Sequence, residues 1–278
     1  MIRILQPVIF TRSAVYRRLK TVSDDASPEI QGNPPLELAP LQDQLTAWQQ
    51  RVRALLEVLL CSSLPTQFLI AGILGALGMA PQTGGQLSLT FVLVLSLTDT
   101  VALIVLMIAL ERAHGESPWL LWRGRRRLTG ELALGVLLVP VAVLMVGVLI
   151  GSIRTFAPWL HNVPENPLET LATGGPAGAA LFGVVAIVAG GLREELQRAF
   201  LLKRFERHLG GASFGVLVLS VAFGLGHALQ GWDAAIATGA LGAFWAVVYL
   251  RRRSSVAPIV SHAGFNSIEV LRVAMGGG

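Results

Sequence analysis

The stretch GGLREELQRAF, residues 190–200, places two adjacent carboxylates and two arginines directly behind an almost wholly apolar run. A helix of about 20 apolar residues spans the roughly 30 Å hydrocarbon core of a bilayer. A charged side chain in hydrocarbon costs on the order of 2.5 kcal/mol or more, so a retained charge needs a partner or a purpose. The stretch therefore predicts a membrane helix that carries a functional site at Glu194 and Glu195.

The composition of the whole chain indicates an integral membrane protein. Of the 278 residues, 53% are hydrophobic and 14% are charged, and the mean hydropathy of +0.62 is too high for a soluble domain of this length. The net charge of +5 comes from arginines clustered between apolar runs. Basic loops at a cytoplasmic membrane surface explain this pattern better than nucleic-acid binding, so we expect a lipid bilayer and no nucleic acid among the partners.

Seven apolar stretches are long enough to cross a membrane, which predicts an all-α, polytopic transmembrane bundle of about seven spans. In chain order the predicted spans are 54–80, 88–111, 131–154, 175–202, 212–230, 232–250 and 256–274. The basic clusters WRGRRR (122–127), KRFER (203–207) and RRR (251–253) fall in alternate loops. This asymmetry predicts a cytoplasmic N-terminus, and we expect the plasma membrane of a prokaryote.

Two histidines lie inside predicted spans, His227 in AFGLGHALQG and His262 in PIVSHAGFNS. Asn266 follows His262 at i+4 and therefore stands on the same helical face. At about 1.5 Å per helical residue, these side chains and the Glu pair reach similar depths from the cytoplasmic edge. We expect them to meet in one chamber drawn from three helices.

Such a set of side chains supports hydrolysis. A poorly solvated carboxylate can act as a general base toward water, with an imidazole sharing the proton. A second imidazole and an amide can donate hydrogen bonds to the oxyanion at an attacked carbonyl. The same atoms allow a zinc site with Glu194, His227 and His262 as ligands, but the HExxH pattern is absent. Water activation without a metal cofactor is the favoured reading, and Zn²⁺ remains the alternative.

Three motifs carry a resemblance to a known family: EELQR at 194–198, FGLGH at 223–227 and HAGFN at 262–266. In this order they resemble the CPBP (CAAX protease and bacteriocin-processing) intramembrane endopeptidases, which include the Rce1-type prenyl-protein proteases. The resemblance implies that Glu194 and His227 activate water, and that His262 and Asn266 stabilise the oxyanion. Arg198 is expected to orient a carboxylate.

The spacing of the first motif departs from the family pattern EExxxR, because two residues separate Glu195 from Arg198 here. Aligning on the Glu pair makes Glu194 the base. Aligning on Arg198 puts Arg193 in the place of the first Glu, and an arginine cannot serve as a base. Glu194 is therefore favoured, with Glu195 as the alternative.

The sequence thus predicts an endopeptidase with three regions: a cytoplasmic tail at 1–53, accessory transmembrane helices at 54–174 and an Rce1-like catalytic core at 175–278. The expected substrate is a membrane-associated or prenylated protein or peptide. A non-catalytic transporter, channel or scaffold could use the same buried polar residues. The Glu pair could also form only an interfacial ion cluster with Arg193, Arg198 and Lys203. Asp99, near the middle of the second span, receives no role.

Overall fold

The computed structural model describes residues 45–164 and 166–276, and residues 1–44 of the predicted tail lie outside this part of the chain. Within the described residues the chain is helical apart from one short hairpin. The elements are α1 (Ala47–Leu60), α2 (Leu64–Ala76), β1 (Gln82–Thr83), β2 (Gln86–Leu87), α3 (Leu89–Ala113), α4 (Pro118–Arg123), α5 (Leu128–Phe156), α6 (Glu169–Thr173), α7 (Pro176–Val185), a π-helix (Ala186–Arg193), α8 (Glu194–His208), α9 (Ala212–Leu225), α10 (Trp232–Arg252) and α11 (Val256–Ala274).

Among the described residues, 5 helical stretches are long and apolar enough to cross a membrane. They are Ala47–Ala76, Leu89–Ala113, Leu128–Phe156, Pro176–His208 and Trp232–Arg252. The all-α membrane bundle is confirmed, whereas the count of about seven spans is not. Helix α9 has 14 residues and is short for a bilayer, and α11 is diluted by serine, histidine, asparagine and charged side chains.

Helix α1 begins before the predicted span at 54–80. Thr46 caps α1 in a reciprocal capping box with Gln49, so the helix starts at Ala47 and the predicted tail boundary at residue 53 falls inside it. Helix α1 is separated from α2 by a turn in which Ser63 has a φ of 71°. This left-handed conformation is uncommon for a residue other than glycine.

The C-terminal helices pack closely around the polar residues. Helix α11 lies against α5 and the π-helix, and α10 lies against α9. Trp245 of α10 and Phe265 of α11 form a buried apolar cluster with Ala142 of α5 and Leu241. The opposite face of α5 leaves large side chains such as Leu144 exposed, as expected for a helix that faces lipid.

Three basic clusters meet at one end of the bundle. Arg126 donates a hydrogen bond from Nε to the carbonyl of Arg252 over 3.0 Å. Arg253 forms an ion pair with Glu206 at 2.6 Å, and the backbone amide of Ser255 donates to the carbonyl of Trp122 at 2.6 Å. The basic clusters at 122–127, 203–207 and 251–253 therefore share one face, named the basic face. The cluster at 203–207 lies within α8, whereas the sequence pattern predicted a loop there.

Candidate active site

Glu195, in the first turn of α8, is buried, with 1% of its surface exposed. Its Oε1 accepts a hydrogen bond from Arg198 one turn further along the helix and lies 2.8 Å from Nδ1 of His262 on α11. Because a carboxylate paired with an arginine accepts hydrogen bonds, Nδ1 of His262 carries the proton in this contact. The first and third motifs, from separate helices, are thus in direct contact.

Glu194 is the more accessible member of the pair, with 19% of its side chain exposed. Its Oε1 forms an ion pair with Nη2 of Arg193 at 3.2 Å. Its Oε2 lies 4.0 Å from Nε2 of His262, which is beyond direct hydrogen-bond range but within the reach of a bridging water. One imidazole therefore faces both carboxylates of the pair.

His227 does not lie inside a helix, contrary to the sequence-based expectation. Helix α9 ends at Leu225, and His227 follows in the turn before a short 3-10 helix at Ala228–Gln230. Its Nδ1 lies 2.8 Å from the carbonyl oxygen of Phe223. Because a backbone carbonyl can only accept, Nδ1 carries the proton, and the Nε2 of neutral His227 keeps its lone pair.

Two aromatic side chains hold the imidazoles and the arginine of the site in place. The ring of Phe223 lies 4.9 Å from that of His227 and 6.3 Å from that of His262, both edge to face, and the Arg198 guanidinium lies 4.9 Å from the same ring. Trp245 stacks on His262 with ring centroids 3.8 Å apart. No sequence pattern indicated this stacking.

Asn266 contacts the π-helix that leads into the Glu pair. Its Nδ2 donates to the carbonyl of Ala186 over 2.8 Å, so one N–H of the amide remains for another acceptor. A Cβ added at Gly190 would lie 2.5 Å from Nδ2 of Asn266, and one added at Gly191 would lie 2.7 Å from the Cβ of Ala263. The two glycines therefore permit the close approach of α11 to the π-helix. Segments of π-helix are frequent at functional sites.

Asp99, to which the sequence assigned no role, is a fully buried partner of Arg193. Its Oδ2 lies 3.2 Å from Nη1 of Arg193, and its carboxylate also accepts hydrogen bonds from Thr66 and Gln67. The same Arg193 nitrogen donates to Oγ of Ser63 at 2.5 Å. Arg193 thus connects helices α2 and α3 to Glu194.

The purely interfacial reading of the Glu pair fits this geometry poorly. The ion pairs of Glu194 with Arg193 and of Glu195 with Arg198 are present. Glu195, however, is buried against His262, and Lys203 contacts Glu111 and Glu116 instead. The pair faces the interior of the bundle as well as its own arginines.

Residues 176–268 match the family model Rce1-like, described as type II CAAX prenyl endopeptidase Rce1-like. This segment of the chain is similar to the Rce1-like family. It contains all three motifs, and helices α1 to α6 precede it. Searches of curated proteins and of solved structures gave no match. The Rce1-like match and the apolar helices together support an integral membrane protein with peptidase activity.

The zinc alternative requires Glu194, His227 and His262 to converge on one point. In residues 45–164 and 166–276, no three His, Cys, Asp or Glu side chains are grouped closely enough to hold a metal ion. His227 also forms no hydrogen bond or ion pair with either glutamate in this part of the chain. A zinc-bound form would need His227 to move toward the Glu pair, and a chelator can test for it.

Proposed function

We propose that the chain is an intramembrane endopeptidase that hydrolyses a peptide bond of a membrane-associated or prenylated protein or peptide. The observation that carries this proposal is the 2.8 Å contact between Glu195 and His262, with Glu194 4.0 Å from the same ring. It brings together two of the three motifs in the segment that matches the Rce1-like family. Peptide hydrolysis needs a base and an oxyanion site within a few ångströms, and this arrangement offers both.

Glu194 is the base in this proposal. Its Oε2 forms no hydrogen bond with the described residues and lies 4.0 Å from Nε2 of His262, and its side chain is partly accessible, so a water can reach it. Glu195 has Oε1 occupied by Arg198 and His262, and its Oε2 is buried with no hydrogen-bond partner among the described residues. Glu195 is the alternative base, and its contacts favour a positioning role instead.

In this proposal His227 shares the proton with Glu194 through a bridging water, because the two side chains make no direct contact among the described residues. The hydrogen bond of Nδ1 to the Phe223 carbonyl leaves Nε2 as an acceptor. Phe223, which packs against both imidazoles, keeps His227 beside the site. Water loses a proton to Glu194 as its oxygen adds to the scissile carbonyl carbon, and the leaving amine regains that proton when the C–N bond breaks.

His262 and Asn266 stabilise the oxyanion. Because Nδ1 of His262 donates to Glu195, only the doubly protonated ring also donates from Nε2 to the oxyanion. Asn266 has one N–H beyond its bond to Ala186. Trp245 fixes the plane of the His262 ring, which keeps its Nε2 aimed at one place.

The basic face is the cytoplasmic face in this proposal, with the N-terminus on the same side and the plasma membrane of a prokaryote as the location. Support comes from the contacts between the basic clusters at 122–127, 203–207 and 251–253. Cytoplasmic loops carry an excess of Lys and Arg. The prenylated substrate is the class that the description of the matching family names.

The test is a cleavage assay with the purified chain in liposomes. The substrates are a peptide with a prenylated C-terminal cysteine motif and its unprenylated twin, each with and without a chelator. We expect cleavage that the chelator leaves intact. Loss of cleavage with chelator and recovery with Zn²⁺ would favour the metal alternative, and ion or solute flux without cleavage would favour a transporter or channel.

A further inference from the structure

A second polar site lies away from the Glu pair, on the basic face. The N-terminal half of α1, the turn after α3 and the end of α8 enclose a cavity of about 150 Å³. Its lining includes five basic side chains and one carboxylate, which are Arg53, His114, Arg204, Arg207, His208 and Glu57. None of these residues belongs to the three motifs.

The single lining carboxylate, Glu57, is fully engaged by its neighbours. Glu57 is buried and lies 3.0 Å from Nε of Arg53, 2.7 Å from Nε2 of His114 and 2.6 Å from Nε of Arg204. Arg204 also donates from Nη1 to Glu111 at 2.6 Å. Its Nη2 is buried without a hydrogen-bond partner in the described ranges. The acids present therefore do not satisfy all the donors at this site.

Other hydrogen-bond donors at the rim of the cavity also have no acceptor among the described residues. Arg53 bonds to Glu57 through Nε alone, and its two terminal nitrogens have no hydrogen-bond partner among the residues that the structure describes. Arg207 uses one nitrogen for Glu116 and is half exposed. His208 forms no hydrogen bond within the described part of the chain. A group with several anionic oxygens would accept from these donors together, and charge-assisted bonds of this kind are strong.

The surroundings of the cavity indicate where that anion comes from. Helix α1 exposes large apolar side chains beside the cavity, among them Trp48 at 71% and Leu59 at 61%. Indole side chains are enriched at the membrane surface, and Trp48 lies at the start of the apolar stretch Ala47–Ala76. The cavity thus opens where phosphate headgroups lie, with apolar surface nearby for acyl chains.

We propose that this cavity binds the phosphate group of an anionic phospholipid from the surrounding leaflet. Basic pockets between membrane helices at a cytoplasmic surface suit such headgroups. The phosphate would accept hydrogen bonds from Arg53, Arg207 and His208, while the acyl chains lie along the exposed face of α1. This site is independent of the proposed peptidase activity.

The experiment measures lipid binding to the detergent-purified full chain by native mass spectrometry and by the shift in unfolding temperature. The ligands are phosphatidylglycerol, phosphatidylcholine and inorganic phosphate. We expect phosphatidylglycerol to remain bound and to stabilise the chain, with phosphatidylcholine and inorganic phosphate much weaker. Equal effects of the two lipids would overturn the proposal, and so would inorganic phosphate acting as well as phosphatidylglycerol.

Two variants and one matched control locate the site. Arg53→Gln and His208→Gln should each weaken phosphatidylglycerol binding, Arg53→Gln by about tenfold or more. Arg51→Gln makes the same charge change two residues away on the exposed side of α1 and should leave binding unchanged. An equal loss in Arg51→Gln and Arg53→Gln would mean general surface attraction and would overturn the proposal. The imidazole of His208 forms no hydrogen bond with the described residues, so His208→Gln should fold. Its lipid binding therefore tests the proposal even if Arg53→Gln misfolds.

Discussion

Nδ1 of His262 lies 2.8 Å from Oε1 of Glu195, and this contact joins α11 to the first turn of α8. It fixes which nitrogen of His262 carries a proton and leaves Nε2 facing Glu194. Arg198 forms an ion pair with the same carboxylate oxygen of Glu195. In the proposed mechanism the two adjacent glutamates have different tasks: Glu195 positions the imidazole, and Glu194 activates the water.

Glu195→Gln should lower both stability and the rate of cleavage. The change leaves Arg198 buried beside an amide, and breaking a buried ion pair from one side costs about 3–5 kcal/mol. Thermal unfolding and single-turnover cleavage measure the two effects. The control is Glu206→Gln on the same helix, whose partly exposed pair with Arg253 should be worth less than about 1 kcal/mol. Equal stabilities of the two variants would contradict the assigned burial.

Asn266→Ala should lower kcat by about 10²- to 10³-fold with little change in KM, because an oxyanion donor acts in the transition state. The control is Ser267→Ala, whose hydroxyl donates within its own helix to the carbonyl of Ala263. Steady-state kinetics on the liposome-reconstituted chain separate kcat from KM. A rise in KM at unchanged kcat would assign Asn266 to substrate binding instead.

Gly191→Ala should destabilise the fold by about 1–3 kcal/mol, since its new Cβ would overlap Ala263 on α11. Gly183→Ala on α7 is the matched control, because a Cβ there would lie 3.9 Å from the nearest atom, a side-chain carbon of Val270. We expect the control to be neutral or slightly stabilising. Chemical unfolding in detergent compares the two, and equal midpoints would argue against the close approach of α11 to the π-helix.

Asp99→Asn should cost about 3–5 kcal/mol, because Arg193 then loses its buried charge partner and keeps only its pair with the partly exposed Glu194. The double variant Asp99→Asn with Arg193→Gln removes both charges and should recover part of that loss. A double-mutant cycle on unfolding free energies gives the coupling energy. Purely additive effects would show that the pair contributes no coupling.

The sequence predicted the helices well where long apolar runs dominate. The three motifs identified from the sequence all lie in the segment that matches the Rce1-like family. The position of His227 was wrong because the apolar pattern continues through 212–230, whereas the helix ends among the glycines at Leu225. The residues adjacent in sequence indicate which helix a residue belongs to. They do not indicate which residues of other helices it contacts. The contacts of Asp99 with Arg193 and of Trp245 with His262 therefore had no local signal.

The charge pattern of the sequence did not indicate which basic residues near the basic face are buried in ion pairs. Arg204 lies in a run that indicates topology, yet it is buried between Glu57 and Glu111. These acids come from α1 and α3, far away in the chain, so no sequence spacing links them to Arg204. For the same reason the sequence did not indicate the cavity that Glu57 and Arg204 line.

The most direct test of the central claim compares Glu194→Gln with Glu195→Asp in single-turnover cleavage by folded protein in liposomes. We expect Glu194→Gln to lose about 10²- to 10⁴-fold in rate while keeping its unfolding temperature, because a general base contributes that much. Glu195→Asp retains a carboxylate for Arg198 and His262 and should keep measurable activity. Near-normal cleavage by Glu194→Gln would contradict the assignment of Glu194 as the residue that activates water.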